Sequence, residues 1–102
     1  MLDDNAMREL LMTAKVIAVV GHSDNPERTS YQIAQYLRNM GYTVYAVNPT
    51  VQEIDGERSY ASLADVPEPI DIVDVFRRSE HLQGVVDDAI AAGAKSVWTQ
   101  LG

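Results

Sequence analysis

The residues of this chain whose type and spacing suggest chemistry are one glycine and three arginines. Gly21 follows the five apolar residues 16–20 of a predicted strand over residues 15–20, and Arg28 comes shortly after it. Arg77 and Arg78 come directly after a second apolar run. A guanidinium group can donate two hydrogen bonds to one phosphate, so this set predicts a site for a phosphorylated ligand. A solvated side chain is the alternative for each arginine taken alone.

A strand, a turn and a helix must position the first of these groups. Gly21 lets the backbone turn sharply, because it has no Cβ. Asn25 as a cap and Pro26 in the first turn predict a helix that runs to about Met40, where Gly41 ends it. The N–H groups at the start of such a helix can face an anion. The unit therefore predicts a turn that binds phosphate.

Three further segments have the β-branched and aromatic composition of strands. They cover residues 42–47, 70–76 and 95–100. A helix is predicted from Ser79 to about Ile90, and residues 50–69 are predicted as a loop with a weak helical turn at 61–66. Strands that alternate with helices predict an α/β fold. We expect a Rossmann-like doubly wound parallel sheet with strand order 3-2-1-4 in three α/β/α layers.

In such a sheet the ligand lies beyond the carboxyl ends of the strands, where the strand order reverses. We expect this point between the first and fourth predicted strands. The candidate site therefore consists of the residues that follow the four strands, together with the start of the first helix. These residues are Gly21, His22, Ser23, Arg28, Asn48, Pro49, Phe76, Arg77, Arg78, Gln100, Leu101 and Gly102.

The pattern after the first strand argues against a nicotinamide dinucleotide. That fingerprint has three glycines and an acidic residue at the end of the second strand. This chain has only Gly21 in the turn and Asn48 at the place of the acid. An asparagine near arginines tolerates an additional ribose phosphate better than a carboxylate does. A nicotinamide-binding regulatory domain is therefore a disfavoured alternative.

No group of side chains has the spacing of a catalytic or metal site. His22 could act as a base or as a phosphate donor, and the lack of a paired nucleophile favours a donor or structural role. Ser23 lacks the Gly-x-Ser-x-Gly surroundings of a hydrolase nucleophile. Asp71 and Asp74 have no histidine at ligand spacing, and we expect Asp74 to be bonded to loop N–H groups or to an arginine. We predict a binding module with no catalytic residue and no metal.

Composition narrows the class of partner. Eight basic and fifteen acidic residues give a net charge of -7, which disfavours nucleic acid as a partner. The chain has no cysteine, and its amino terminus is acidic where a signal peptide is basic. No apolar run approaches the roughly 20 residues of a membrane span. We expect a cytoplasmic protein whose partner is a small-molecule nucleotide ligand rather than a membrane.

Length predicts one domain over residues 1–102. It begins with a helix over about residues 3–13 and stops at Gly102, where another strand-to-helix turn should begin. We therefore expect a domain that is cut short at its carboxyl end. The fourth strand would then be an exposed edge, and pairing with a second copy would cover it. This predicts a homodimer.

Four segments, in this order, resemble the small bacterial coenzyme A-binding proteins. They are residues 19–23 with Arg28, residues 47–49, residues 74–78 and residues 98–102. Such proteins are stand-alone Rossmann-like domains similar to the coenzyme A (CoA)-binding domain of succinyl-CoA synthetase. The resemblance covers the chain from about Lys15 to its end, although family members usually continue through a further helix and strand.

The resemblance implies a site for CoA or an acyl-CoA and gives each segment a role. The phosphates would meet Gly21, His22, Ser23 and Arg28. The nucleotide would be bordered by Asn48 and Pro49. The cleft would be lined by Val75, Phe76 and Arg77, next to Arg78, and closed by Gln100 and Gly102. An enzymatic alternative is the nucleotide-binding part of a CoA-dependent acyl or phosphoryl transferase.

Overall fold

The structure is a computed structural model that describes residues 5, 12–76 and 82–99. Its strands are β1 (Val16–Val20), β2 (Thr43–Val47), β3 (Glu53–Ile54), β4 (Glu57–Tyr60), β5 (Ile72–Val75) and β6 (Ser96–Thr99). Its helices are α1 (Thr29–Asn39), α2 (Leu82–Ala91) and a 3₁₀ turn at Leu63–Asp65. Most of the predicted helix over residues 3–13 and the cap Ser79 lie outside the described residues. No helix in the described ranges is long and apolar enough to cross a membrane.

The strands form one mixed sheet in the order β3-β4-β2-β1-β5-β6. All neighbouring pairs are parallel except β3 and β4, which form an antiparallel hairpin. When only the parallel strands are counted along the chain, β4 is the third and β5 the fourth. Their arrangement β4-β2-β1-β5 is then the predicted Rossmann-like order 3-2-1-4. The predicted α/β class and doubly wound sheet are confirmed.

The assignment of individual segments to that order was wrong. Residues 70–76 were expected beyond the second strand, but β5 pairs directly with β1. The third place belongs to β4, inside the stretch predicted as a loop. β4 is short and polar, with only Ser59 buried, and it pairs with β2 at only two positions. It therefore has no apolar signal of its own.

Both faces of the sheet are covered, which explains why β1 is buried along its whole length. On one face Ile17 and Val19 pack with Ala34 and Leu37 of α1. On the other face, valines and alanine of the sheet pack against α2 and the 3₁₀ turn; the cluster includes Ala18, Val20, Val47, Leu63, Val73, Val75 and Ala89. The predicted three-layer arrangement is confirmed.

The start of α1 differs from the prediction. Asn25 was expected to cap the helix, but the helix begins at Thr29 with Arg28 in the N-cap position. The Asn25 side-chain oxygen instead accepts from the Glu27 N–H at 3.0 Å, and its carbonyl accepts from the Arg28 N–H at 3.0 Å. These bonds build a separate turn before the helix. At the other end Met40 is exposed, because the helix stops at Asn39.

The amino edge of the sheet contains an internal anion site. The Asp71 carboxylate accepts from the backbone N–H groups of Lys15 and Val16 at 2.8 and 3.0 Å. Lys95 lies 3.2 Å from the other carboxylate oxygen. The backbone bonds are the main cause of an Asp71 pKa below its ordinary value. A side chain of the protein therefore fills the anion site at this edge.

Candidate functional site

The carboxyl ends of three strands are joined at Gly21. The Gly21 N–H donates to the Val47 carbonyl oxygen at 2.8 Å, and the Phe76 N–H donates to the Val20 carbonyl oxygen at 2.8 Å. The order along the sheet reverses here, because the chain leaves β1 for β2 and later returns to β5 on the other side. The reversal therefore lies between β1 and β5, not beside the segment 95–100 as expected.

Position 21 requires glycine for two reasons. Its φ is +84°, which is in the left-handed region, and a Cβ there would lie 2.4 Å from the Phe76 carbonyl oxygen. Real Cβ atoms are essentially never that close to backbone, so the side chain must be absent. The turn after β1 and the end of β5 are therefore in direct backbone contact.

A cleft of about 420 Å³ opens at this edge. Its lining residues are Gly21, Ser23, Asp24, Arg28, Thr29, Ser30, Asn48, Thr50, Val51 and Phe76. Five of the predicted site residues thus lie together, from three separate segments of the sequence. The structure places the predicted cleft on the α1 side of the sheet.

The loop that enters this cleft is held by serines. The Ser23 N–H donates to the Ser30 hydroxyl at 3.0 Å, and the Ser23 hydroxyl accepts from the Asn25 N–H at 3.0 Å. Ser30 is buried, and it was missed in the sequence prediction. The sequence spacing could have indicated this burial, since Ser30 lies on the same helical face as Ala34 and Leu37. A polar residue at the start of an apolar stripe indicates an internal hydrogen bond.

The start of α1 is an uncompensated positive end. Arg28 makes no side-chain cap bond, and the first turn contains no acidic residue. The first N–H groups of a helix have no acceptor within the helix, and the helix dipole adds partial positive charge there. Thr29 and Ser30 lie at this end and line the cleft. The exposed Arg28 adds a full charge, so the cleft suits an anion.

Asn48 connects two loops of the site. Its amide nitrogen donates to the His22 carbonyl oxygen at 2.9 Å, and its amide oxygen accepts from the Thr50 N–H at 3.0 Å and from the Thr50 hydroxyl at 2.7 Å. Pro49 lies outside the cleft and borders an adjoining cavity of about 290 Å³ on the α2 side. Val20, Val47, Leu63 and Val85 give that cavity a largely apolar wall. Ser62 and Asp88 also line this cavity. Asn48 thus lines the polar cleft, and Pro49 lines a cavity with more apolar residues.

His22 lies beside the cleft lining but is fully buried. Its Nδ1 is 2.8 Å from the Ser23 carbonyl oxygen, and its Nε2 is 3.2 Å from an Arg38 guanidinium nitrogen. Burial, followed by the Arg38 charge, lowers the pKa of His22 below 6.5. Both ring nitrogens are engaged inside the protein. Contact between this ring and a phosphate stays a prediction that the geometry does not favour.

The remaining predicted site residues have different outcomes. Val75 is fully buried in the core on the α2 side and does not line the cleft, whereas Phe76 does. Asp74 is buried on the other face of β5, in register with Val19 and Trp98. Among the described residues no group of His, Cys, Asp and Glu could hold a metal ion. Arg77, Arg78, Gln100 and Gly102 lie outside the described ranges.

A protein-family model described as "CoA binding domain" matches residues 15–102. The chain belongs to this family. The match begins just before β1 and includes every element that forms the cleft. The family resemblance seen in the sequence is therefore confirmed.

Two relatives of this CoA-binding domain match it over most of its length. An uncharacterized protein of Bacillus subtilis, YneT, is 44% identical over 96 residues, which are 94% of this chain and 71% of that protein. A solved structure of a hypothetical protein from Pyrococcus horikoshii superposes with a TM-score of 0.91 at 42% identity and covers 95% of this chain and 68% of that one. The Rossmann-like fold of the CoA-binding family is thus shared with both.

A third similarity connects the domain to a larger enzyme. The ADP-forming acetate–CoA ligase I of Archaeoglobus fulgidus is 42% identical over 64 residues, which are 63% of this chain and 9% of the ligase. The chain therefore corresponds to a small part of that enzyme.

Proposed function

We propose that this protein binds CoA or an acyl-CoA, with the phosphates in the cleft at the start of α1. The observation that carries the proposal is a helix start with no acidic residue in its first turn, open to the cleft, in a member of the CoA-binding family. The cleft combines a helix start with no acidic residue, an arginine and a turn that only glycine permits. Family membership supplies the chemical class of the ligand.

The phosphates fit the polar cleft on the α1 side. Thr29 and Ser30 stand at the open helix start, and Arg28 offers a guanidinium that matches two phosphate oxygens. Asp24 also lines the cleft and is the one carboxylate in the lining. We place the pyrophosphate against the helix start.

The nucleotide base fits the adjoining cavity. Pro49 and Leu63 provide apolar surface there, and Val20 and Val47 form its floor at the ends of β1 and β2. A Rossmann-like sheet commonly binds its ligand across the crevice at the reversal point, which gives the two halves of the ligand different surroundings. In this arrangement Asn48 stays a structural residue, since its side chain already makes three hydrogen bonds.

A second candidate function is the nucleotide-binding part of a CoA-dependent transferase. The similarity to an ADP-forming acetate–CoA ligase favours it. The described residues supply no paired nucleophile and base, because the buried His22 is held by Ser23 and Arg38. The nicotinamide alternative has no comparable support.

Calorimetric titration with CoA, dephospho-CoA and NADH tests the proposal. We expect CoA to bind more tightly than dephospho-CoA, and NADH to bind weakly. Arg28→Ala should weaken CoA binding roughly 10- to 150-fold, since a charge-assisted hydrogen bond contributes about 1.5–3 kcal/mol. Lys95→Ala is the matched control, because it removes a cation at the opposite edge of the sheet. Absence of CoA binding, or equal losses in the two variants, would refute the proposal.

Location and assembly are further proposals. A chain without cysteine, binding a cofactor of metabolism, fits the cytoplasm. β6 is the outer strand in the described part of the sheet, and a second copy could pair with it. Light scattering across a concentration series tests this dimer. A constant monomer mass would refute it.

A further inference from the structure

Four side chains connect the cleft loop to α1 and to the β3–β4 turn. His22 contacts Arg38 through its Nε2 atom and lies edge-on to the Tyr31 ring, with 6.0 Å between ring centroids. The Tyr31 hydroxyl donates to the Asp55 carboxylate. This set, the His22 network, extends from the buried His22 ring to the exposed Asp55 carboxylate. The proposed function alone does not explain it.

The contacts define which ring nitrogen of His22 carries the proton. The Ser23 carbonyl oxygen can only accept, so the Nδ1 atom must donate to it. The Arg38 guanidinium can only donate, so the Nε2 atom must be unprotonated. The imidazole is therefore neutral, with its hydrogen on Nδ1. Arg38 is itself held by the Gln35 side chain at 3.0 Å, which fixes the donor.

This ring controls the direction of a backbone carbonyl beside the cleft. A carbonyl oxygen carries partial negative charge and would repel a phosphate if it faced the cleft. The first two residues after Gly21, His22 and Ser23, each have a backbone carbonyl group in this loop. Asn48 binds the His22 carbonyl oxygen, and the His22 ring binds the Ser23 carbonyl oxygen. Each is thus held by an internal donor.

We propose that His22 is a positioning residue for the phosphate cleft, holding the Ser23 carbonyl away from the ligand by means of a neutral imidazole fixed by Arg38. This inference rests on the proposed function. It adds a predicted pH response to that function. Protonation of Nε2 would replace the hydrogen bond from Arg38 with repulsion between two cations.

The direction of the pH response follows from the groups that face the ring. Arg38 and Tyr31 approach from α1, and Asp55 approaches from the β3–β4 turn. Burial, and after it the Arg38 charge, lower the pKa of His22, whereas the hydrogen bond to the Ser23 carbonyl and the charge of Asp55 raise it; burial is the largest of these effects. The His22 pKa therefore lies below 6.5, and CoA affinity should be full at neutral pH. It should fall as the pH drops through the lowered value.

Two substitutions separate positioning from simple packing. His22→Asn places an amide nitrogen near the Nδ1 position and keeps the bond to Ser23 without a titratable group. His22→Gln reaches toward Arg38 but has no donor near the Ser23 carbonyl. We expect His22→Gln to bind CoA roughly five- to tenfold more weakly than wild type, and His22→Asn to bind within about threefold. Equal binding by all three proteins would overturn the inference.

The pH profile supplies a readout that packing would not change. CoA affinity is measured by calorimetry at about pH 7.5 and at the lowest pH at which the proteins stay folded, for wild type, His22→Asn and His81→Asn, which removes the other histidine. The ligand's own phosphates titrate identically with all three proteins. Wild type and His81→Asn should lose more affinity at the lower pH than His22→Asn does. Identical losses would overturn the inference.

A substitution outside the loop tests the same inference if His22→Gln does not fold. Arg38→Met leaves His22 in place but removes both the hydrogen bond that fixes the ring and the cation that would repel its protonated form. CoA affinity should therefore be lower than that of wild type at neutral pH, and it should fall less than that of wild type as the pH drops. The ring tautomer and its titration are measured by nitrogen NMR on the unliganded protein. A ring protonated on Nε2 alone, or an unchanged profile, would overturn the inference. Failure of wild type to bind CoA is a separate result, which refutes the proposed function.

Discussion

Backbone N–H groups that could bind an anion lie at both edges of the central sheet, but only one edge has an anion from the protein in place. At the amino edge, backbone N–H groups point at an anion that the protein supplies, the Asp71 carboxylate. At the carboxyl edge, the start of α1 offers N–H groups with no acidic residue in its first turn. The first arrangement is complete without a ligand and stabilises the fold. The second has no acidic residue in its first turn, and in the proposed complex a phosphate of the ligand would be the anion at this position.

The largest expected effect tests the turn that creates the carboxyl-edge site. Gly21→Ala should destabilise the fold by about 3 kcal/mol or more, because the strained φ adds to an overlap with the Phe76 backbone. CoA binding should be lost with it. Urea unfolding and calorimetry measure the two effects.

Gly84→Ala is the matched control for that change. Gly84 lies within α2, and a Cβ there would have no atom within 4 Å. Since alanine favours helix over glycine, this variant should gain about 0.5–1 kcal/mol and bind CoA normally. Equal stability of the two variants would contradict the explanation.

The next effect concerns the amino edge. Asp71→Asn should lower the free energy of unfolding by about 1–3 kcal/mol, because it removes the charge that accepts from Lys15 and Val16. CoA affinity should not change. Urea unfolding at neutral pH and calorimetric titration check the two halves of this statement. A loss of affinity without a loss of stability would reverse the roles assigned to the two edges.

The same carboxylate gives a pH dependence. Its pKa in the folded state lies below the ordinary 3.8, because the two N–H groups favour the charged form. Its contribution to stability is therefore complete above the unfolded value and is lost as the pH falls through the folded value. Unfolding curves at decreasing pH should show wild type and Asp71→Asn converging in acid. A constant difference at every pH would contradict this account.

A third substitution makes the carboxyl edge resemble the amino edge. Thr29→Asp puts a carboxylate at the open start of α1, where it should stabilise the helix by about 0.3–1 kcal/mol. The same charge should compete with the ligand and reduce CoA affinity roughly tenfold. Thr29→Asn, with a similar shape and no charge, is the control. Retained affinity in Thr29→Asp would show that the phosphates bind elsewhere.

The smallest expected effect is at the rim of the Asp71 site. Lys95 is 70% exposed, so its ion pair is screened by solvent and contributes little. Lys95→Met should change stability by less than about 1 kcal/mol, measured by urea unfolding. An effect as large as that of Asp71→Asn would mean that the ion pair, rather than the two N–H bonds, holds the carboxylate.

Structure could be predicted from the sequence where burial or backbone geometry restricts which amino acids occur at neighbouring positions. The run that forms β1 is apolar throughout because both faces are covered, and Gly21 follows it because a Cβ cannot fit. The sequence could not place β4, since a polar strand of four residues is stabilised by its pairing with β2 rather than by its own composition. The alternation of side chains along a strand correctly predicted that Ile72, Asp74 and Phe76 share one face of the sheet. Ile72 and Phe76 belong to one hydrophobic cluster, and Asp74 is in register with Val19 of that cluster.

The candidate site was predicted in part for a similar reason. A rule about sheet edges brought together residues that follow strands, and Ser23, Arg28 and Asn48 do line one cleft in the structure. Their individual roles depend on partners far away in the sequence. His22 is turned inward by Arg38, and Asn48 is occupied by Thr50, and neither contact has a pattern that the linear sequence reveals.

The approach of Gly21 to the end of β5 has a consequence for variation among homologues. The atom that a side chain would strike belongs to the main chain of Phe76, and every amino acid has that atom. Position 21 should therefore tolerate no replacement in a saturation library, whereas position 76 should accept other apolar residues that pack under α1. Although the two residues are in contact, we expect substitutions at position 76 to have no effect on the requirement for glycine at position 21.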